Sequence, residues 1–306
     1  MIEYLDSLPE DTEEIDVSYK DITSLDVTRF KNLKQLYCHN NKLTSLHLNE
    51  NLQVLNCSYN LLTSLHLNKK LKFVYCHKNQ LASLHLNENL HTLYCLNNQL
   101  TSLHLNENLR VLYCDYNKLT SLHLNKNLST LHCYDNRLTS LLTENLQELH
   151  CSCNHLTSLQ LNKKLEILYC SYNQLTSLHL NENLQELYCS NNQLTSLQLN
   201  KKLETLYCSY NQLTSLHLNK NLQTIVYNNN PIYEIINSDE IEIIEQNLRL
   251  LDQFRYLYYC LKFKKRFRDL LWIRIREPKI REKYSYAYLV TNLHEETDLE
   301  ELLNNW

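Results

Sequence analysis

The chain has 306 residues, no Gly, three Pro and a formal net charge of −4. A Gly-free chain cannot carry the P-loop, the dinucleotide G-x-G-x-x-G or the G-x-S-x-G elbow, each of which needs backbone that Gly alone adopts readily. The near-neutral charge excludes a nucleic-acid binder that is basic throughout, and no stretch of about 18 consecutive apolar residues marks a membrane span.

Residues 1–32 begin with MIEYLDSLPEDTEEID, which is acidic and lacks the basic-then-apolar order of a secretory signal. A cytoplasmic location is expected. Within this segment Ile15, Val17, Ile22, Leu25 and Val27 form a degenerate first copy of a pattern that becomes regular over residues 33–236. Ten Cys fall at 38, 57, 76, 95, 114, 133, 151, 170, 189 and 208; eight of the nine gaps are 19 residues, and the gap from Cys133 to Cys151 is 18. Around them runs the frame L-x-x-L-x-C-x-x-N-x-L-x-x-L-x-L, clean in Leu184, Leu187, Cys189, Asn192, Leu194, Leu197 and Leu199. It continues without Cys through Leu222, Ile225, Tyr227, Asn230, Ile232 and Ile235. Self-similarity at a fixed period marks a solenoid, here of about eleven repeats.

Alternation along L-x-x-L-x-C puts Leu36 and Cys38 on one side of a short strand and Tyr37 on the other. No coil buries its apolar side alone, so stacking must join the coils into a parallel sheet over one core. A 19-residue coil leaves little room for a returning α-helix. The segment T-S-L-H-L-N is therefore expected to be extended, polyproline-like or a short second strand.

The frame resembles the leucine-rich repeat, L-x-x-L-x-L-x-x-N/C-x-L, over roughly residues 12–236. Its period is slightly short for that family, and Cys stands at the third apolar position. The resemblance implies a leucine-rich repeat solenoid with a concave sheet face that binds a protein partner. It also implies that Asn41, Asn60, Asn79, Asn98, Asn117, Asn136, Asn154, Asn173, Asn192, Asn211 and Asn230 form a structural ladder on backbone groups left open where each strand ends. A buried amide, with two donors and an acceptor, suits that task. Without Gly, Asn is further expected at left-handed turn positions. A narrower resemblance, carried by the unit C-S-Y-N-Q-L-T-S-L-H-L (170–180), the tail FRDLLWIRIREPKIREKY (267–284) and the Asn-, Lys- and Tyr-rich composition, is to leucine-rich repeat proteins of mimivirus-like giant viruses. It implies expression in a host cytoplasm.

From Asn237 the period stops. Asn237-Ser-Asp-Glu240 reads as a helix start, followed by apolar residues at 250, 251, 254, 257, 258 and 261 in helical spacing. A second helical stretch is expected up to Arg276, before Pro278, and a short last helix from Thr297-Asp-Leu-Glu300. The simplest role of residues 237–306 is a helical C-terminal cap over the open end of the solenoid. Within it, residues 255–283 hold eleven Lys or Arg against three acids. That segment is either a solvated or internally paired face, or a site for an anionic partner, nucleic acid or membrane surface.

The Cys spacing is far from the roughly two-to-four-residue spacing of zinc motifs. The repeat thiols are expected to be inert core groups, with Cys153 outside the core position, and no metal or other cofactor is expected. His47, His66, His85, His104, His123, His179 and His217 share one repeat position with Gln160 and Gln198, which reads as a solvated return side. No Ser-His-Asp or paired-carboxylate constellation stands out, so no catalysis is expected. The remaining candidate is the fifth repeat position on the concave face: Tyr37, Tyr75, Tyr94, Tyr113, Tyr169, Tyr188 and Tyr207, with Asn56, His132 and His150 in the other aligned places. This stripe is either cross-strand packing or a surface for a protein partner. Ser171, Ser190 and Ser209 are expected to leave the rings standing clear, with Glu148 and Glu186 facing outward beside them. A partner offering Arg or Lys would then bind by cation–π and charge contacts.

Overall fold

The structure is a computed structural model that describes residues 2–262. The helical stretch expected up to Arg276, the last helix from Thr297 and most of the basic segment 255–283 lie outside the described residues. Contacts divide the chain into two units, Met1–Glu245 and Gln246–Trp306.

The first unit is a stack of coils. Twelve three-residue strands, from Glu14–Asp16 and Gln35–Tyr37 to Thr205–Tyr207 and Thr224–Val226, form one parallel sheet in chain order. Equivalent positions pair with each other, Leu36 with Leu55 and Leu187 with Leu206. The strict sequence period sets this register, because a slip by one residue would turn every Leu out to solvent. Leu36, Cys38, Leu43 and their counterparts in the other coils are almost wholly inaccessible. The chain returns without a helix. Ser24–Asp26 pairs with Ser45–His47, and farther along only single bridges remain, such as His66 with His85 and His104 with His123. The solenoid is thus a leucine-rich repeat architecture with an extended return side.

Side-chain amides close the gaps that short strands leave. Asn117 Nδ2 donates to the carbonyls of Cys95, Cys114 and Asp115 at 3.1, 3.1 and 3.2 Å, and its Oδ1 accepts from Leu100 N at 2.9 Å. The same set recurs from Asn41 to Asn230. A second ladder runs on the return side. Asn106 Nδ2 donates to Asn87 O and Leu90 O, and Asn181 and Asn200 repeat this one coil apart. The 18-residue coil is absorbed here. Leu142 takes the bridging place of the return-side His, and Thr143 stands in the second ladder, its Oγ1 donating to Gln160 O at 2.6 Å. The sheet passes through undisturbed, with Glu148 beside Thr130 and His150 beside His132.

Two expectations need correction. The left-handed position is not the ladder Asn but the residue before it: this is again an Asn at Asn40, Asn97, Asn191 and Asn229, as expected, but a bulkier residue at Tyr59, Lys78, Tyr116, Cys153, Tyr172 and Tyr210, all with φ between 53° and 56°. The ladder amide, bonded to carbonyls on both sides of the corner, holds a bulky residue where Gly would be at ease. The last coil also departs from the frame. Its return becomes a helix, Pro231–Ile236, in which Ile232 and Ile236 are buried while Ile235 is 60% exposed. Helical spacing turns the inward face to Ile232 and Ile236, so the frame's final place falls on the outside. Asn237 ends this helix with φ 47° rather than opening the next. The helix Ile241–Lys262 follows, and Glu240 N donates to Ser238 Oγ at 3.2 Å just before it. Tyr227, in place of Cys, is buried and donates from its hydroxyl to Ser238 O at 2.8 Å. No helix among the described residues is long and apolar enough to cross a membrane.

Candidate functional site

The fifth repeat position lies on the outer face of the sheet, at the C-terminal end of each three-residue strand. Eight consecutive strands carry a ring there: Tyr75, Tyr94, Tyr113, His132, His150, Tyr169, Tyr188 and Tyr207. Neighbouring centroids lie 3.8–5.0 Å apart at interplanar angles of 5–27°. Parallel in-register strands space identical positions by about 4.8 Å, which matches ring-on-ring contact. Tyr37 stands apart because Asn56 interrupts the row, and its hydroxyl donates to Gln35 Oε1 at 2.8 Å.

Stacking corrects the picture of free-standing rings. Each inner ring has both faces covered by its neighbours, so cation–π access is closed along the row. What remains outside is a line of ring edges and hydroxyls. Ser209 is buried, bonded through its hydroxyl to the Asn228 amide, and does not act as a spacer. Burial, with the neighbouring Tyr188 hydroxyl next in effect, pushes the Tyr169 phenol up, and burial does the same to Tyr94 and Tyr113. These rings stay neutral in ordinary buffers. A separate set, Tyr59, Tyr116, Tyr172 and Tyr210, is exposed at the left-handed corner. Tyr59 and Tyr116 meet His77 and Tyr134 of the next coil edge to face.

In the middle of the row the chemistry changes. Glu148 Oε1 accepts a hydrogen bond from His132 Nε2 at 3.3 Å. It also lies 3.0 Å from His150 Nε2, an ion-pair contact with the buried nitrogen whose angle falls outside ordinary hydrogen-bond geometry. Burial pushes the His150 imidazole down to about 4, helped by His132 beside it and opposed by Glu148. An unfolded His takes up its proton near 6.5. The folded state binds less proton below that pH, so this residue's contribution to stability is intact above about 6.5 and is lost as pH falls toward about 4. Urea melts between pH 7 and 4 should show a fall in stability that H150Q reduces. An unchanged profile in H150Q would assign the acid sensitivity elsewhere.

The other candidates are quiet. The ten repeat thiols are buried and free, and burial pushes them up, Cys57 and Cys151 to about 12. Cys153 is only half-buried. His66, His85, His104 and His123 are exposed on the return side. Of the basic segment, Arg255 and Lys262 are described, and Lys262 Nζ lies 5.6 Å from the centre of the Tyr258 ring. The second Asn ladder and the grouping of His132, Glu148 and His150 were not anticipated. The first was visible as the Asn that follows H-L in nearly every repeat. The second needs the strand register to appear.

The coils, the Asn ladder and the sheet define a leucine-rich repeat fold. A family model described as leucine-rich repeats (2 copies) matches residues 182–220. Among solved structures, the functional domain of InlJ from Listeria monocytogenes, reported to include a cysteine ladder, is 30% identical with a TM-score of 0.65; the match covers 71% of this chain and 58% of that one. The Leptospira interrogans leucine-rich repeat protein LIC12759 is 26% identical with a TM-score of 0.58, over 69% of this chain and 71% of that one. YopM from Yersinia pestis, a leucine-rich effector protein, is 26% identical with a TM-score of 0.55, over 72% of this chain and 79% of that one. This chain therefore spans less than two thirds of the InlJ structure it resembles. No curated protein matches it.

Proposed function

We propose that this protein is a non-catalytic protein-interaction scaffold that binds its partner on the outer, Tyr-rich face of the sheet. The observation that carries this reading is the unbroken row of eight rings on adjacent strands. At about 4.8 Å per strand the row is roughly 34 Å long, enough to seat an extended segment or one edge of a folded domain. Its rings are pre-ordered by stacking, so binding costs little side-chain entropy. The exposed hydroxyl edges offer hydrogen bonds, and Glu186, on the same strand as Tyr188, adds negative charge. Solenoids commonly use such extended faces for protein binding. Free, buried thiols suit a reducing compartment, which supports the cytoplasm; the likeness to giant-virus proteins would make it that of a host.

The test uses two triple variants in affinity capture from a cell lysate. Y169F/Y188F/Y207F keeps the stack and removes three hydroxyls; it should weaken capture by about tenfold or more, since each lost hydrogen bond is worth about 0.5–1.5 kcal/mol. Y169A/Y188A/Y207A should abolish capture and also lower the melting temperature, because stacked pairs contribute about 0.5–1.5 kcal/mol each. Capture unaltered by both variants would reduce the row to sheet packing. If deletion of 255–283 then removed capture in a salt-dependent way, the second reading would stand: an adaptor whose basic segment, net +8, holds nucleic acid or an anionic membrane.

A further inference from the structure

The ring row reads the same from either end. Counted outward from the midpoint between His132 and His150, Tyr113 matches Tyr169, Tyr94 matches Tyr188 and Tyr75 matches Tyr207. The residues just before the strands form a column along one margin of the same face. Neighbours in that column touch: Lys34 Nζ lies 2.5 Å from Glu13 Oε1, and Gln223 Nε2 donates to Glu204 Oε2 at 3.3 Å. The same midpoint divides the column by charge. Lys72 and Arg110 precede the strands Phe73–Tyr75 and Val111–Tyr113, whereas Glu166 and Glu204 precede Ile167–Tyr169 and Thr205–Tyr207. All four are exposed, and among the described residues none of them forms an ion pair within the chain.

Such a face is complementary to itself. A half-turn about an axis parallel to the strands, passing between His132 and His150, sets a second copy face to face with the first. The turn keeps strand direction and reverses coil order, so margin lies on margin and ring row on ring row. Lys72 then faces Glu204 of the second copy and Arg110 faces Glu166, and each pair forms twice, as an isologous interface requires. Val111 meets Ile167 between them, apolar against apolar. Glu148 and Glu186 fall opposite Thr130 and Thr92, so no like charges meet. Lys34, the remaining cation of the column, is already held by Glu13.

We propose that the protein binds a second copy of itself through this face, as an antiparallel two-fold dimer. The proposal rests on reading the face as a binding surface and names its occupant. Stacking closes the ring faces and leaves hydroxyl edges outward, and two such lines of edges hydrogen-bond to each other across the dyad. Bridges between neighbouring coils on the return side, such as His66 with His85 and His104 with His123, limit how far the sheet can curve inward, so two copies can meet along its length. Eight strands and the margin beside them cover about 35 Å by about 15 Å, or roughly 1,000 Å² over both copies. That is near the lower bound for a specific interface and sets the dimer in the range of about 1–100 μM.

The experiment is analytical ultracentrifugation of the full chain in reducing, low-salt buffer. Wild type should pass from monomer to dimer as its concentration rises, and added salt should weaken the dimer. Arg110→Glu alone and Glu166→Arg alone each turn two attractive contacts into two repulsive ones, and each should weaken self-association about tenfold or more. Mixing the two variant chains should restore a dimer of wild-type strength, because every contact between them again joins opposite charges. The double variant R110E/E166R should likewise dimerise alone. His104→Glu, on the exposed return side, should dimerise as wild type does. Recovery on mixing also shows that both variants are folded. A wild-type chain still monomeric at about 200 μM would overturn the proposal, as would single variants that dimerise unchanged or fail to recover when mixed. The reading of the face as a surface for a different protein fails separately, when capture is unaltered by both triple Tyr variants.

Discussion

Leu112→Ala should destabilise the solenoid by about 2–5 kcal/mol, the range for truncating a buried Leu in a core that cannot collapse around the gap. Leu112 is the middle residue of the strand Val111–Tyr113, has no accessible surface, and is paired with Leu93 and Leu131 on either side. The Leu column is continuous, and neighbours held by ladder bonds above and below have little freedom to close in. Urea melts report the loss. Because each coil touches only its neighbours, hydrogen exchange should show the lost protection centred on the coils of Leu93, Leu112 and Leu131. A change under about 1 kcal/mol would mean that the coils relax into the gap, contrary to close packing.

Asn117→Ala should cost about 1–3 kcal/mol. The decisive loss is the acceptor for Leu100 N, which in the structure is Asn117 Oδ1 at 2.9 Å. The Cys95 and Cys114 carbonyls each keep one other amide donor, from Asn98 and Asn136, so their share is smaller. The substitution also frees the corner that holds Tyr116 at φ 53°, a conformation unfavourable by roughly 1–2 kcal/mol for a residue with a side chain. His104→Gln, exposed on the return side, should stay within about 0.5 kcal/mol. Equal thermal melts for Asn117→Ala and His104→Gln would show that the ladder contributes nothing.

The solenoid could be read from the chain because its signal is repeated. A single Leu-x-x-Leu-x-Cys says little, whereas the same spacing around Cys38, Cys57 and Cys76 leaves one arrangement that buries every Leu. Inward and outward faces followed from alternation alone. The corner was placed one residue late: propensity rightly puts Asn40, Asn97, Asn191 and Asn229 in the left-handed region, but the ladder Asn makes the bonds and its predecessor, of any type, takes the dihedral. The helix Pro231–Ile236 was missed because Ile232 and Ile235 satisfy the repeat frame and a helical spacing equally well. Pro231, at the start of the turn, was the available cue. In the row of rings, residue type and face were legible, but ring-on-ring contact depends on rotamers and strand spacing. The meeting of His132 with Glu148 is farther still from the linear pattern, since 16 residues separate them.

The shortened coil between Cys133 and Cys151 shows how this molecule tolerates changes in length. One residue is missing, yet the strands, the thiol column and the first amide ladder continue through it, and the adjustment is confined to Leu142 and Thr143 on the return side. Every ladder bond joins a coil only to itself or to the next. The array therefore behaves as a ruler divided into equal units. A whole 19-residue block inserted or removed at equivalent corners would leave each remaining bond with an equivalent partner, and would move the two ends of the ring-bearing sheet face apart or together by one strand spacing, about 4.8 Å. Gene duplication within such an array changes reach in fixed steps without redesigning a core.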